Sequence, residues 1–503
     1  MRLCFALLLA LATAPTLSAQ QGHLTDPAPD LPRGTYLPPN WLADDQFLRW
    51  PYPPGDVAYG DLDGFRIKAL VNEVTAISRR SRDDGNQYWG RIAGTEYERM
   101  TNEWTAGHLR RVGLEQVRIQ EFDLPPQWFP TSWEVTVTGE GRTTRLATAF
   151  PLYHSVGTSG AVSLEPVWLG MGTAADFADR IVTGKAAVLY GFPNPGGRGN
   201  TALTLGALRR AEEAGAAAVL MIVGFPGNVV NQPQGGATRP PAKVPVIMLG
   251  DQDGRVIREL IERRQSSAIG LRLAVDTRSG LKTANVWGVL PGATDEHIAI
   301  MAHADAFFEG AMDNASGMAT LVALAEHYAK IPRAQRRRTI TFFTTAAHHS
   351  PSGEQAGISW VHNNMQAMFA KTALLVNLEH TAQVATYLIG EAFITSNQVS
   401  ARRWFVGGSN RLRDIVLNTF QEYGIALYSR PEGRPGGELS RVFTDAPSFH
   451  IIDHTVYHTD MDTLAAVPAY GLEQSARAFA KIIDQVNAVD LRDLRGGPVN
   501  SSR

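Results

Sequence analysis

HIAIMAHADAFFEGAMDNASGMATL, residues 297–321, decides the fold. It reads as a buried strand over 298–301, a loop carrying His303, Asp305 and Asp313, and a helix entered through Asn314, Ala315 and Ser316. A short apolar run bounded by polar residues suits a central parallel strand covered on both faces. From Met318 onward, Leu321, Val322, Leu324, Ala325 and Tyr328 follow helical spacing, with Ser316 as the expected N-cap. His303 and Asp313 then lie beyond the carboxyl end of a strand, where open α/β sheets build their sites. A histidine and an aspartate ten residues apart arise often by chance. The pair gains meaning only if other strands deliver matching groups to the same edge.

They do. RTITFFTTAA (338–347) is followed by His348 and His349, LLVNL (374–378) by Glu379, and SFHII (448–452), a little further on, by Tyr457 and His458. Helical patterns near 357–369, 413–423 and 471–489 separate these strands, so the fold class is α/β, a mixed and mostly parallel sheet flanked by helices. Four strand ends bring imidazoles and carboxylates together, with Asp313 added by the first loop. Neutral imidazole with carboxylate suits Zn²⁺, with Mn²⁺ or Co²⁺ as alternatives. An aspartate bridging two ions would make a two-metal site, which grips an attacking water and a scissile carbonyl together. A serine hydrolase is disfavoured because no GxSxG elbow follows a strand.

A chain of 503 residues exceeds one compact core. Residues 1–19 have the layout of a signal peptide, too short to span a bilayer, and contain Cys4, the single cysteine. An exported chain without further cysteine has neither disulfides nor thiolate ligands, so a secreted or periplasmic location is expected. Residues 20–60 form a Pro- and Gly-rich lead-in and 61–150 the first part of the catalytic domain, with helices around 67–81 and 97–113. In the second of these helices Met100, Trp104 and Leu109 mark the apolar face. Residues 151–281 form an inserted β-rich module around one strong helix at 204–218. The second part of the catalytic domain spans 282–490, and 491–503 is a tail. A net charge of −2, with 19% charged residues and no basic aromatic patch, argues against nucleic acid as partner, and nothing later is long and apolar enough for a membrane span. The oligomeric state is left open.

HADAFFEGAMDNASG (303–317), RRTITFFTTAAHH (337–349), LLVNLEH (374–380) and YHTDMDT (457–463) resemble the zinc metallopeptidase family of bacterial leucyl aminopeptidase, aminopeptidase Y and glutamate carboxypeptidase. The likeness covers about residues 65 to 490. The inserted stretch, with GKAAVLYGF (184–192) and KVPVIMLGDQDG (243–254), is similar to a protease-associated (PA) domain. The resemblance implies a zinc exopeptidase-like fold and one or two Zn²⁺ ions. Asp313 would bridge them, His303 and Glu379 would complete one, and His349 and His458 the other. It also implies that Asp305 orients the His303 imidazole, that Tyr457 hydrogen-bonds the oxyanion, and that Gly310, Asn314, Ser316 and Gly317 present the bridging aspartate.

One departure matters. Where the family has adjacent glutamates, a general base and then a ligand, this chain has His348-His349. Glu379 stands where the family has aspartate. Imidazole is a good zinc ligand, so His349 is a tolerable exchange. As base, His348 would accept the proton at a nitrogen whose ordinary pKa is near 6.5. Glu354 is the other carboxylate that could swing in. The expected activity is hydrolysis of peptide or small amide substrates by metal-activated water, of aminopeptidase, carboxypeptidase or dipeptidase type. A peptidase-fold binding protein with impaired catalysis, or an amidohydrolase or glutaminyl-cyclase-like enzyme, is the alternative. Arg402, Arg403, Arg430 and Arg434 read as a solvated face or as partners for a substrate carboxylate, and Asp445 and Asp453 as structural.

Overall fold

Seven strands make the central sheet: β1 (Glu115–Asp123), β2 (Lys282–Leu290), β3 (His297–His303), β4 (Thr339–Thr345), β5 (Thr372–Asn377), β6 (Arg403–Gly407) and β7 (Ser448–Ile452). Their order is β6-β7-β5-β3-β4-β2-β1. The four inner strands β3, β4, β5 and β7 are parallel, β6 on one side and β2 on the other run antiparallel to them, and edge strand β1 pairs antiparallel with β2. The computed structural model describes residues 49–192, 201–232, 241–349, 356–389, 392–429, 446–452 and 455–495. Residues 1–48, with Cys4 and the expected signal peptide, the end of the tail, and Glu354, Arg430, Arg434, Asp445 and Asp453 lie outside them.

The continuous apolar run of β3 has a direct cause. Ile298, Ile300 and Ala302 join the large core on one face, while Ala299 and Met301 meet Ile358, Val361 and Phe369 on the other. Edge strand β1, by contrast, alternates in exposure. The first face is covered by α1 (Gly64–Asp83), α2 (Glu96–Val112), α3 (Gly317–Ala329) and α4 (Ala469–Asn487). In α1 the expected stripe, Ile67, Leu70, Val71, Val74 and Ile77, is buried, and Asp63 caps the helix by accepting from the Arg66 amide. In α2 the expected face is only half right. Leu109 is buried, but Met100 and Trp104 are half-exposed, and the packed face carries Glu98, Thr101, Asn102 and Thr105. Buried polar partners turn this helix: Glu98 accepts from the Gly94 amide and the Thr283 hydroxyl, both at 2.7 Å.

The β-rich module has two sheets. Phe150–Pro151, Val246–Gly250, Ala218–Val223, Ala186–Gly191 and Pro166–Trp168 form one. In the other, Gln127–Gly139 and Val162–Leu164 flank Ser267–Arg278, and Arg142–Arg145 adds to the first. Strands from before residue 151 therefore pair within the module, because Gln127–Gly139 finds its partner in Ser267–Arg278 rather than in the central sheet. The long helix expected at 204–218 is instead two short pieces, Thr201–Thr204 and Ala207–Glu213, separated where Gly206 takes φ +78°. Phe307 and Phe308, from the loop after β3, are buried in the module's own core with Tyr88, Phe150 and Tyr153. The module is thus packed against the edge where the candidate site lies. No helix of the described residues is long and apolar enough to cross a membrane.

Candidate metal centre

Everything at the centre depends on how the loop between β3 and α3 is held. Arg91, fully buried, donates to the carbonyls of Ala304 (3.0 Å), Glu309 (3.0 Å) and Gly310 (3.2 Å) and to the Ser78 hydroxyl (2.7 Å). Burial lowers the Arg91 guanidinium to about 10, against the pull of Asp305 and Asp313, so it stays charged at neutral pH. Asp462 takes the amides of Met312 (2.6 Å) and Asp313 (3.0 Å), which leaves the Asp313 carboxylate aimed inward. Two glycines are required. Gly310 adopts φ +56°, and a Cβ on Gly317 would stand 2.2 Å from the Leu378 carbonyl oxygen. Ser316 is not the N-cap expected of it: its hydroxyl donates to Met312 O (2.7 Å) inside an irregular turn over Ala311–Ser316, and it already has helical angles.

Asp313 is the hub. Its Oδ1 lies 3.0 Å from His303 Nε2, and its Oδ2 lies 3.2 Å from both His349 Nε2 and His458 Nε2. Glu379 Oε1 is 4.0 Å from His303 Nε2, and its Oε2 accepts from the Asn377 amide at 3.2 Å. Two groups of donor atoms within 4.8 Å of one another result: His303, Asp313 and Glu379, and Asp313, His349 and His458. All are buried. The structure thus brings together the five residues proposed as ligands from the sequence, and gives each oxygen of Asp313 its own set.

The nitrogens say what belongs between them. His458 Nδ1 can only donate to the Gln232 carbonyl, 2.9 Å away, and His303 Nδ1 only to the Asp305 carbonyl at 3.1 Å. In the neutral rings the Nε2 lone pairs therefore point at carboxylate oxygens 3.0–3.2 Å off, an arrangement that repels unless a cation lies between. A proton is disfavoured as that cation on two of the rings, since burial lowers His458 and takes His349 well below the ordinary histidine range. His303 Nε2, His349 Nε2, His458 Nε2 and Asp313 Oδ1 make no hydrogen bond in the protein. Burial alone would raise the Asp313 carboxyl, but His349, then His303 and His380, hold it well below the carboxylate range. Glu379 is likewise lowered despite burial, by His450 first and then His380. Orphaned imidazole nitrogens around ionised carboxylates fit a divalent metal.

The other expected site residues are placed as follows. His348 stacks on His303 (4.3 Å between centroids, 16°) and stands edge-on to His349 (4.5 Å), and His303, His348 and His349 form a third group of neighbouring donors. Asp305 differs from expectation. Its backbone carbonyl, not its carboxylate, orients His303; the carboxylate accepts the amides of His348 (3.0 Å) and His349 (2.7 Å). Tyr457 is buried with its ring stacked 3.7 Å from His458. Arg402, read as surface or substrate-facing, is 1% exposed and donates to Thr381 O and Ser400 Oγ. Four contributors escaped the sequence reading: Arg91, His380, His450 and Asp462. His380 Nε2 lies 3.2 Å from Asp313 Oδ1 and 3.7 Å from Glu379 Oε1, and His450 Nε2 lies 3.5 Å from Glu379 Oε2. His380 and Asp462 each adjoin a group that was noticed, which was the available signal.

Residues 285–483, which contain every one of these ligand candidates, match the family model described as Peptidase family M28. Over this stretch the chain is similar to an M28 peptidase domain. No curated protein matches the chain. Among solved structures, the M28 precursor from Shewanella amazonensis is similar at 19% identity and TM-score 0.64, over 87% of this chain and 99% of that one. BSAP, a zinc aminopeptidase from Bacillus subtilis, is similar at 17% identity and TM-score 0.59, over 86% and 98%. An aminopeptidase from Aneurinibacillus sp. strain AM-1 is similar at 18% identity and TM-score 0.57, over 86% and 96%. At these identities the likeness shows the fold, which spans the M28-like domain and the β-rich module together.

Proposed function

We propose that this M28-like protein is an exported zinc-dependent exopeptidase, of aminopeptidase type in the first instance, that hydrolyses peptide bonds. One observation carries the reading: the two oxygens of Asp313 face separate sets of donors, His303 with Glu379 and His349 with His458. When bound there, zinc supplies Lewis-acid polarisation of a carbonyl and a water acidic enough to attack it. The solved structures described as aminopeptidases support the choice of type, and the layout of residues 1–19 supports export.

The work of this chain's own groups follows by elimination among the described residues. Asp305 spends both oxygens on the amides of His348 and His349, and Asp462 spends both on those of Met312 and Asp313. Asp313 and Glu379 face the metal positions. His348 is then the group placed to accept a proton and return it to the leaving amine. Asp305 positions it by fixing its backbone, and the Tyr457 phenol stands beside His458 as a hydrogen-bond donor to a developing oxyanion.

The test is metal content of the mature protein by plasma mass spectrometry, followed by turnover of leucine p-nitroanilide and of N-blocked peptides. Zinc with turnover of the free-amine substrate only is the expected result. Turnover of N-blocked peptides alone would replace it with a carboxypeptidase. Zinc without any turnover would favour the impaired binding protein, and absence of zinc would overturn the whole reading. His348→Ala should lower kcat by about 10²–10⁴-fold with zinc retained; unchanged kcat would remove His348 as the base.

A further inference from the structure

The two metal positions are built differently. Around Asp313 Oδ1 stand His303 Nε2 at 3.0 Å and His380 Nε2 at 3.2 Å. Glu379 Oε1 lies 4.0 Å from the first nitrogen and 3.7 Å from the second. Four donors about 2.0–2.1 Å from a tetrahedral zinc are separated by roughly 3.3 Å, which these distances bracket. Among the described residues, two donors stand around Asp313 Oδ2, His349 Nε2 and His458 Nε2, each at 3.2 Å. The ligand candidates of the first position are His303 and His380 at 0% exposure and Glu379 at 4%; those of the second are His349 at 8% and His458 at 3%.

Backbone geometry points to His380 as well. It holds φ +51°, a left-handed conformation that a residue with a Cβ keeps where the surroundings fix it, as His458 does at φ +54°. Glu379 is anchored through Oε2 by Asn377, so Oε1 turns toward His380. The His450 ring, whose Nδ1 donates to Asn377 O at 3.2 Å, backs this arrangement from the other side.

We propose that His380 is a fourth protein ligand, closing the His303–Asp313–Glu379 position into a two-nitrogen, two-oxygen cage, while the Asp313–His349–His458 position keeps an open coordination place. Closed four-coordinate zinc is characteristic of structural sites, and three protein ligands with a vacancy of catalytic ones. The centre then holds one locked ion and one exchangeable ion, and substrate meets only the second. This inference rests on the zinc reading given above and divides the labour within it.

Stepwise zinc titration by calorimetry of chelator-stripped protein, with cobalt absorption as second readout, tests it. Wild type should take up two ions in two resolved steps, the tighter one giving the intense visible bands of four-coordinate cobalt. His380→Gln should weaken the tight step by more than about a hundredfold, beyond the loss usual for an outer partner, and leave the weaker step in place. His458→Gln should do the reverse. A tight step unchanged in His380→Gln overturns the assignment. Should the His380 variant misfold by circular dichroism, wild type loaded with one zinc decides by X-ray absorption: four ligands, half of them imidazole, supports the cage, and five or six overturns it. Wild type that binds no zinc instead brings down the underlying zinc reading, a distinguishable failure.

Discussion

A neutral imidazole that donates its one N–H from Nδ1 can offer only a lone pair at Nε2, and this rule, applied to His303 and His458, is what converts a cluster of polar residues into a metal centre. It also ranks the substitutions. Asp313→Asn keeps the volume of the side chain but loses the charge shared by both positions, so both zinc steps should weaken together by more than tenfold each. Calorimetry that showed only one step affected would contradict a bridging role. At this scale much was legible beforehand. His303, His349, Glu379 and His458 each follow a strongly apolar strand, and a strand end is a place where a polar group stands out. For His380 the neighbouring Glu379 was the one signal; the left-handed turn at 380, which sets where its nitrogen meets Asp313, leaves no mark in the sequence.

Among the elements, the loop between β3 and α3 takes one of its supports from Arg91, 213 residues before Ala304, and no local pattern in the sequence announces that. Arg91→Met would leave the carbonyls of Ala304, Glu309 and Gly310 without their donor, at about 1–3 kcal/mol for each orphaned group. Chemical denaturation should show a loss of roughly 3 kcal/mol or more, with weakened zinc uptake beside it. Helix α2 carries a pH signature. Burial, reinforced by Asp305, pushes the Glu98 carboxyl up to about 8, far above its unfolded value near 4.3. Between those values the unfolded chain has lost a proton that the folded chain retains, so stability falls as pH rises, by up to about 1.4 kcal/mol per unit, and levels off above pH 8. Asp462, raised by burial to about 7, adds a similar fall that ends sooner. Glu98→Gln mimics the protonated form and should flatten the pH dependence, most visibly between 7 and 8. A slope equal to that of wild type would show that Glu98 is ionised in the fold. Hydrophobic periodicity missed this helix's orientation because Glu98, Thr101, Asn102 and Thr105 share its packed face with Tyr97, Ala106 and Leu109.

Across the whole molecule, the alternation of buried strands and amphipathic helices made the sheet readable, since strands covered on both faces must be apolar throughout. The docking of the β-rich module was not readable, because backbone groups carry much of it. Gln232 N donates to His458 O at 2.9 Å, Val230 N donates to Asp460 Oδ1 at 3.0 Å, Asp460 N donates to Val230 O at 3.1 Å, and the Gln232 carbonyl accepts the His458 ring proton. Tyr153, also from the module, donates its hydroxyl to the His349 carbonyl at 2.5 Å. Both ligands of the more open position are therefore held in place from outside the M28-like domain. Asp460→Ala should loosen that position, weakening the second zinc step about tenfold and leaving the first unchanged. Equal weakening of both steps would show that the module acts on the centre as a whole.

The backbone seam at residues 230–232 and 458–460 has a consequence for descent. A segment inserted merely as a cover could be lost, duplicated or traded between relatives like a cassette. Here the histidine at 458 takes its tautomer from a carbonyl more than two hundred residues away, so the two pieces are bound to a shared history. A transplanted M28-like domain that left its module behind would arrive with His349 and His458 unmoored.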